Sequence, residues 1–113
     1  MIIAIKQGDT YPPLQAYLQM RDGTPIRIEG ATVKLILKNE SDIVVLNKAV
    51  IIEDFDTSYV VYNWVAEDTA TEGVFKGEFE ITWMEGTILT VPNDGYFTIN
   101  IVKQLGSDAN EVS

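Results

Sequence analysis

Along most of this chain apolar and polar residues alternate with a period of two, in short runs. The clearest run is Gly73 to Pro92, where Phe75, Phe79, Ile81 and Trp83 fall on odd positions with Gly77 among them. Lys76, Glu78, Glu80 and Thr82 fall on the even ones. Successive side chains of a strand point to opposite faces, so this pattern predicts a ribbon with one apolar and one charged side. Glu85-Gly86 supplies the turn, because glycine accepts the positive φ of tight hairpin loops. Thr87 to Val91 returns as the second arm, and Pro92, lacking a backbone donor, stops the pairing. Such a ribbon buries too little to stand alone, so other strands must cover its apolar face.

The same period recurs elsewhere. Ile3 and Ile5 begin a first strand that Gly8-Asp9-Thr10 ends, and Tyr11-Pro12-Pro13 is unfit for a central strand. Leu14, Ala16 and Leu18 share a face, the turn Arg21-Asp22-Gly23-Thr24-Pro25 follows, and Ile26 and Ile28 resume strand spacing. Ala31, Val33, Leu35 and Leu37 oppose Thr32, Lys34, Ile36 and Lys38. Ile43 to Glu53 has two apolar clusters around Asn47-Lys48, which reads as one bent strand or two short ones. A helix over Ile43 to Ala49 competes, but β-branched residues favour strand. Ser58 to Val65 carries Val60, Tyr62 and Trp64 on one face and Tyr59, Val61 and Val65 on the other, as expected of a strand covered on both sides. Asp68 is placed to cap one short helical turn in the polar stretch 66–72. In the last strand Phe97, Ile99 and Ile101 oppose Tyr96, Thr98, Asn100 and Val102.

About eight short extended runs, with turn signals every ~8–12 residues, predict an all-β fold. The expected form is an immunoglobulin-like antiparallel β-sandwich of about seven to nine short strands, with a partly closed barrel as the alternative. One domain over 1–105 is expected, followed by a polar tail over 106–113. Trp64, Trp83, Phe75 and Phe79 are its expected core centre.

Composition narrows the chemistry. The chain has no cysteine and no histidine, which removes disulfides, thiolate metal sites and imidazole acid–base catalysis. A net charge of −9 repels nucleic acid and anionic lipid, so neither is an expected partner. No apolar run approaches the ~20 residues of a membrane helix, and Met1 to Lys6 lacks the form of a signal peptide. Glu78 and Glu80 lie on one solvated face, not across a cleft, so no catalytic residues are expected and the chain is not read as an enzyme. Glu53, Asp54 and Asp56, with Glu67 and Asp68, could gather oxygen ligands for calcium, but no EF-hand spacing appears. Solvated loop acids are the simpler reading, and no metal, cofactor or small-molecule substrate is expected. Asn39-Glu40-Ser41 fits a glycosylation sequon, discounted for want of an export signal.

What remains is a protein-binding or assembly module. Tyr59, Val61 and Val65 are the candidate protein interface, against the simpler view that Tyr59 lies at a rim or under a loop.

The order of signals also carries a resemblance. Gly8-Asp9-Thr10 is followed by Asp22-Gly23-Thr24-Pro25-Ile26, Gly30-Ala31-Thr32-Val33, Tyr62-Asn63-Trp64 and Asp68-Thr69. Then come Gly73-Val74-Phe75-Lys76-Gly77-Glu78-Phe79-Glu80-Ile81-Thr82, Gly86, Pro92 and Ile99-Asn100-Ile101. From about Ile5 to Lys103 this resembles the N-terminal domain of the phage baseplate upper protein family. The resemblance implies an immunoglobulin-like sandwich serving as a non-enzymatic structural part of the virion. It would be made in the host cytoplasm and would dock on the tail or baseplate in repeated copies, as a connector for host-recognition components. Family members continue into a helical linker and an oligomerising region, whereas this sequence ends at Ser113. Two other classes compete. An acidic accessory protein inhibiting a nucleic-acid enzyme by charge mimicry predicts carboxylates on one face at phosphate-like spacing. A carbohydrate- or cell-surface-binding module predicts a shallow aromatic groove.

Overall fold

The computed structural model of the chain describes residues 2–105, so the expected tail at 106–113 lies outside the described residues. The strands are β1 (Ile2–Lys6), β2 (Leu14–Tyr17), β3 (Thr32–Lys38), β4 (Val44–Ala49), β5 (Ile51–Asp54), β6 (Tyr59–Tyr62), β7 (Gly73–Thr82), β8 (Ile88–Val91) and β9 (Phe97–Val102). One 3-10 turn, Ala66–Thr69, links β6 to β7. The strands form an all-β sandwich of two sheets, one six-stranded in the order β1-β9-β7-β3-β4 with β8 also on β7, the other three-stranded in the order β2-β6-β5.

β7 is the spine because its ten residues outrun every neighbour. Along one edge it pairs with the whole of β3, from Thr32↔Thr82 to Lys38↔Lys76. The other edge is shared: β8 takes Phe79 to Thr82, and β9 takes Gly73 to Gly77. Between β8 and β9 the chain leaves the sheet at Pro92 and rejoins it at Phe97. The predicted turns form where glycine sits: Gly23 and Gly86 have φ of 90° and 94°. The Asp22 carboxylate accepts from the Thr24 N–H at 2.9 Å, and the Trp83 N–H donates to the Thr87 carbonyl at 2.9 Å. At the β3–β4 hairpin the Asn39 side-chain oxygen accepts from the N–H groups of Ser41 and Ile43, at 2.9 and 3.0 Å.

At the level of pairing one expectation is corrected and one open alternative is settled. The sandwich is not wholly antiparallel, since β1 runs parallel to β9 with Ile3 beside Ile99 and Ile5 beside Ile101. The stretch Ile43 to Glu53 is two strands in different layers, β4 in the larger sheet and β5 in the smaller. Val50 is the crossing point, its N–H still donating to the Val33 carbonyl at 3.0 Å. The helical alternative for Ile43 to Ala49 is overturned by the ladder to β3. Separate sheets likewise overturn the partly closed barrel.

The core sits between the layers. Val33, Leu35, Leu37, Ile81 and Ile99 of the larger sheet and Val60 of the smaller are the least exposed, joined by Ile28 from the connection before β3. Full burial of each such side chain is worth about 1.5–3 kcal/mol. Trp64, Phe75 and Phe79 are buried as expected, with the Trp64 ring edge-on to Tyr62 at 5.3 Å. Trp83 is the correction. It lies past the end of β7, half-buried against the core, and its Nε1–H donates to the Arg27 carbonyl at 2.9 Å. An indole needs a partner for its N–H, and the rim supplies a carbonyl that the centre of an apolar core does not. The loop after β1 is tied to the 3-10 turn: the Gly8 N–H donates to the Thr69 carbonyl at 2.9 Å, and the buried Thr69 hydroxyl donates to the Asp9 carbonyl at 2.9 Å.

Candidate interaction surface

The smaller sheet places part of the predicted interface on its outer side. Its register aligns Gln15, Val61 and Ile51 in one row and Tyr17 with Tyr59 in the next. Leu14, Ala16, Val60 and Tyr62 alternate inward, so the outer row follows from strand parity. The Tyr17 and Tyr59 rings pack at 4.8 Å with planes 34° apart. Tyr17 and Ile51 remain 59 % and 50 % exposed, Tyr59 is half-buried and Val61 is only 8 % exposed. Val61 is therefore flanked and largely covered by its neighbours, and the reachable apolar groups of this face are Tyr17, Tyr59 and Ile51. Tyr17 and Ile51 join this face through the register of the sheet. Parity against Leu14, Ala16 and Leu18 marks Tyr17 as outward, but only the register brings it beside Tyr59.

Val65 stands apart from that row. β6 ends at Tyr62, and Val65 is exposed at the start of the 3-10 turn. Its N–H donates to the Asp68 carboxylate at 3.0 Å. Asp68 thus holds the turn from inside, reaching back to the residue before it instead of standing ahead of it as an N-cap. The same carboxylate accepts from the Tyr62 hydroxyl at 2.6 Å and pairs with the Lys48 ammonium at 3.1 Å. The Asp68 side chain is only 4 % exposed. Burial pushes its pKa up, but the Tyr62, Val65 and Lys48 contacts outweigh that and hold the group below the ordinary aspartate value. Burial, then the bond to Asp68, raises the Tyr62 phenol above its ordinary value. This node joins residues twenty apart in sequence, Lys48 and Asp68, which no local motif marks.

Two of the acids considered for calcium are engaged within the chain. Asp54 accepts from the Asp56 N–H at 2.9 Å in a local turn, and Asp68 is engaged as above. Among the described residues no three carboxylates converge as a metal-ligand group. Glu78 and Glu80 lie on the outer face of the larger sheet, opposite Ile36 and Lys34. Asp42 pairs with Lys76 at 3.1 Å, which lowers the Asp42 pKa and raises that of Lys76.

Among the clefts of the described residues, two lie on the flanks of the sandwich. One, of about 670 Å³, lies between the β3–β4 hairpin and the 3-10 turn, lined by Glu40, Val45, Lys48, Glu67, Glu72 and Phe75 among others. The other, of about 400 Å³, lies between β2 and the β8–β9 connection, lined by Tyr17, Phe79, Pro92, Asp94, Tyr96 and Phe97 among others.

By its architecture the chain is an all-β sandwich of two sheets with an exposed aromatic pair on the outer side of the smaller one. Among solved structures the chain is similar to the N-terminal domain of phage TP901-1 ORF48, with a TM-score of 0.60 and 16 % identity over 92 % of this chain and 85 % of that one. At that identity the likeness is one of fold. No family model matches the chain. No curated protein matches it.

Proposed function

We propose that this chain is a structural protein of a phage particle, a tail or baseplate component that binds neighbouring virion proteins. It would act as a docking or connector module, immunoglobulin-like in form and present in repeated copies around a symmetric assembly, with no reaction of its own. The observation that carries this reading is the fold likeness to a phage protein's N-terminal domain across 92 % of the chain. The order of turn and strand motifs from Gly8 to Ile101 in the sequence adds support. The outer face with Tyr17, Tyr59 and Ile51 supplies an apolar surface of the kind that symmetric neighbours cover.

Charge mimicry finds less support, because on the outer face of the larger sheet Lys34 stands opposite Glu80 and Lys38 opposite Lys76, which leaves no uniform acidic row there. The saccharide-binding reading has one observation in its favour, the cleft where Tyr17 and Tyr96 are each about half exposed. Mass spectrometry of purified particles from a host carrying the gene tests the main reading. The chain should be present at a fixed ratio to other tail proteins; its absence from intact particles refutes the assignment. Binding of host cell-wall saccharide by the isolated chain, lost in Tyr96→Ala, would favour the second reading.

A further inference from the structure

The β4 edge of the larger sheet, with the acidic cleft beside it, specifies a partner's chemistry. Among the described residues β4 pairs with β3 alone. The Val50 N–H donates to the Val33 carbonyl at 3.0 Å. Hydrogen-bonded positions alternate along an antiparallel ladder, so the amides of Leu46 and Lys48 face β3 while those of Asn47 and Ala49 face outward. Ile43, Val44 and Val45, at and just before the start of that strand, are 59 %, 49 % and 50 % exposed.

Natural edges are commonly blunted by proline, by bulges, by lysine and other charged side chains on the edge, or by inward-pointing charges. β4 contains no proline, and its register shift lies near Val44, leaving Leu46 to Ala49 regular. Lys48 is the only charged residue of β4, and its ammonium is already paired with Asp68 at 3.1 Å. That pairing draws the Lys48 ammonium toward the 3-10 turn, so an incoming strand meets it already engaged.

The cleft beside this edge has Val45 and Phe75 among its apolar lining and Glu40, Glu67 and Glu72 along its sides. The Lys48–Asp68 and Lys76–Asp42 ion pairs involve none of those three glutamates. We propose that the β4 edge is a strand-addition site for an extended segment of another virion protein in which apolar residues alternate with lysine or arginine. The backbone of that segment pairs with Asn47 and Ala49, and its cations face Glu40, Glu67 and Glu72. A second copy of this chain is the wrong occupant electrostatically, since it carries net charge −9 and brings the same acids to the contact. The proposal rests on reading the chain as a virion protein, because it takes the partner from the particle.

The test uses the full chain and a fluorescein-labelled peptide alternating valine and lysine, with a valine–glutamate peptide as control. Fluorescence anisotropy should show the lysine peptide binding, more weakly as salt is raised, and the glutamate peptide not binding. Glu67→Gln with Glu72→Gln should weaken binding by roughly tenfold. Asn47→Pro should abolish it, since proline is tolerated where an edge N–H faces solvent but removes a donor that the peptide needs. If Asn47→Pro does not fold, N-methylation of alternate peptide amides makes the same test on the wild type. Equal binding of both peptides, binding by neither at the highest soluble concentration, or binding indifferent to the edge amides overturns the proposal. So does a concentration-dependent dimer by light scattering that Asn47→Pro dissolves, which would give the edge to a second copy. Mass spectrometry of particles separates the two failures. A chain present in particles with no peptide binding ends the strand-addition site alone, whereas peptide binding by a chain absent from particles ends the virion assignment and with it the named source of the partner.

Discussion

A methyl group added at Gly77 would reach into the ring of Phe97. An ideal Cβ there lies 2.4, 2.6 and 2.9 Å from three ring atoms, against an ordinary carbon contact of about 3.5–4.0 Å. The ring has little room to retreat, being 4 % exposed and packed on Phe79 with centroids 5.4 Å apart. Gly77 itself carries no positive φ, so alanine is acceptable to the backbone and stiffens the unfolded chain, a gain of about 0.4–1 kcal/mol. Overpacking of a close-packed core costs about 1–3 kcal/mol. Gly77→Ala should therefore destabilise by about 1–2 kcal/mol and lower the melting midpoint by roughly 4–15 °C. Urea and thermal unfolding followed by tryptophan emission would measure this, with buried Trp64 as a reporter. The decisive arm is a double-mutant cycle with Phe97→Leu, which deletes the two nearest ring atoms. In that background Gly77→Ala should cost little or become neutral. An equal cost in both backgrounds would refute the steric argument, and no loss in the wild-type background would show that the ring yields freely.

Three further outcomes are expected. Asp68→Asn should lower stability near neutral pH by about 1–3 kcal/mol, since Lys48 loses its charged partner. Because the folded Asp68 pKa is depressed, that contribution is complete above the unfolded value of about 3.9 and is lost as pH falls through the lower folded value. The melting difference between wild type and Asp68→Asn should accordingly shrink in acid, and a pH-independent difference would contradict the linkage. Thr69→Val should cost about 1–3 kcal/mol by leaving the Asp9 carbonyl without its side-chain donor, read in the same melts. Tyr17→Asp should reduce incorporation into particles with a smaller stability loss than Tyr59→Asp, because Tyr17 is 59 % exposed and Tyr59 half-buried. Unchanged particle content in both variants would remove this face from the assembly.

The alternation of residues was enough to predict most strands and the side each one buries. Leu35, Leu37, Phe79, Ile81, Phe97 and Ile99 all face inward as their parity requires. It also fixed the turns at Gly23 and Gly86 and the exit from the sheet at Pro92, because glycine, aspartate and proline act on the backbone within a few residues of themselves. The candidate interface was legible only in part. Tyr59 and Val61 share a strand face, but the cover over Val61, the company of Tyr17 and Ile51, and the separation of Val65 all depend on neighbouring elements.

Tertiary structure alone decided the partners of each strand. Nothing in Ile2–Lys6 marks it for parallel pairing with Phe97–Val102, and nothing in Val44–Asp54 announces that its halves enter different sheets. The same holds for the Lys48, Asp68 and Tyr62 node and for the edge of β4 beside its acidic cleft. The reason is physical. Side-chain chemistry fixes which face of a strand is buried, but the edges of a strand present the same backbone N–H and C=O groups whatever the sequence, so which edge meets which is settled by how the whole chain closes its core.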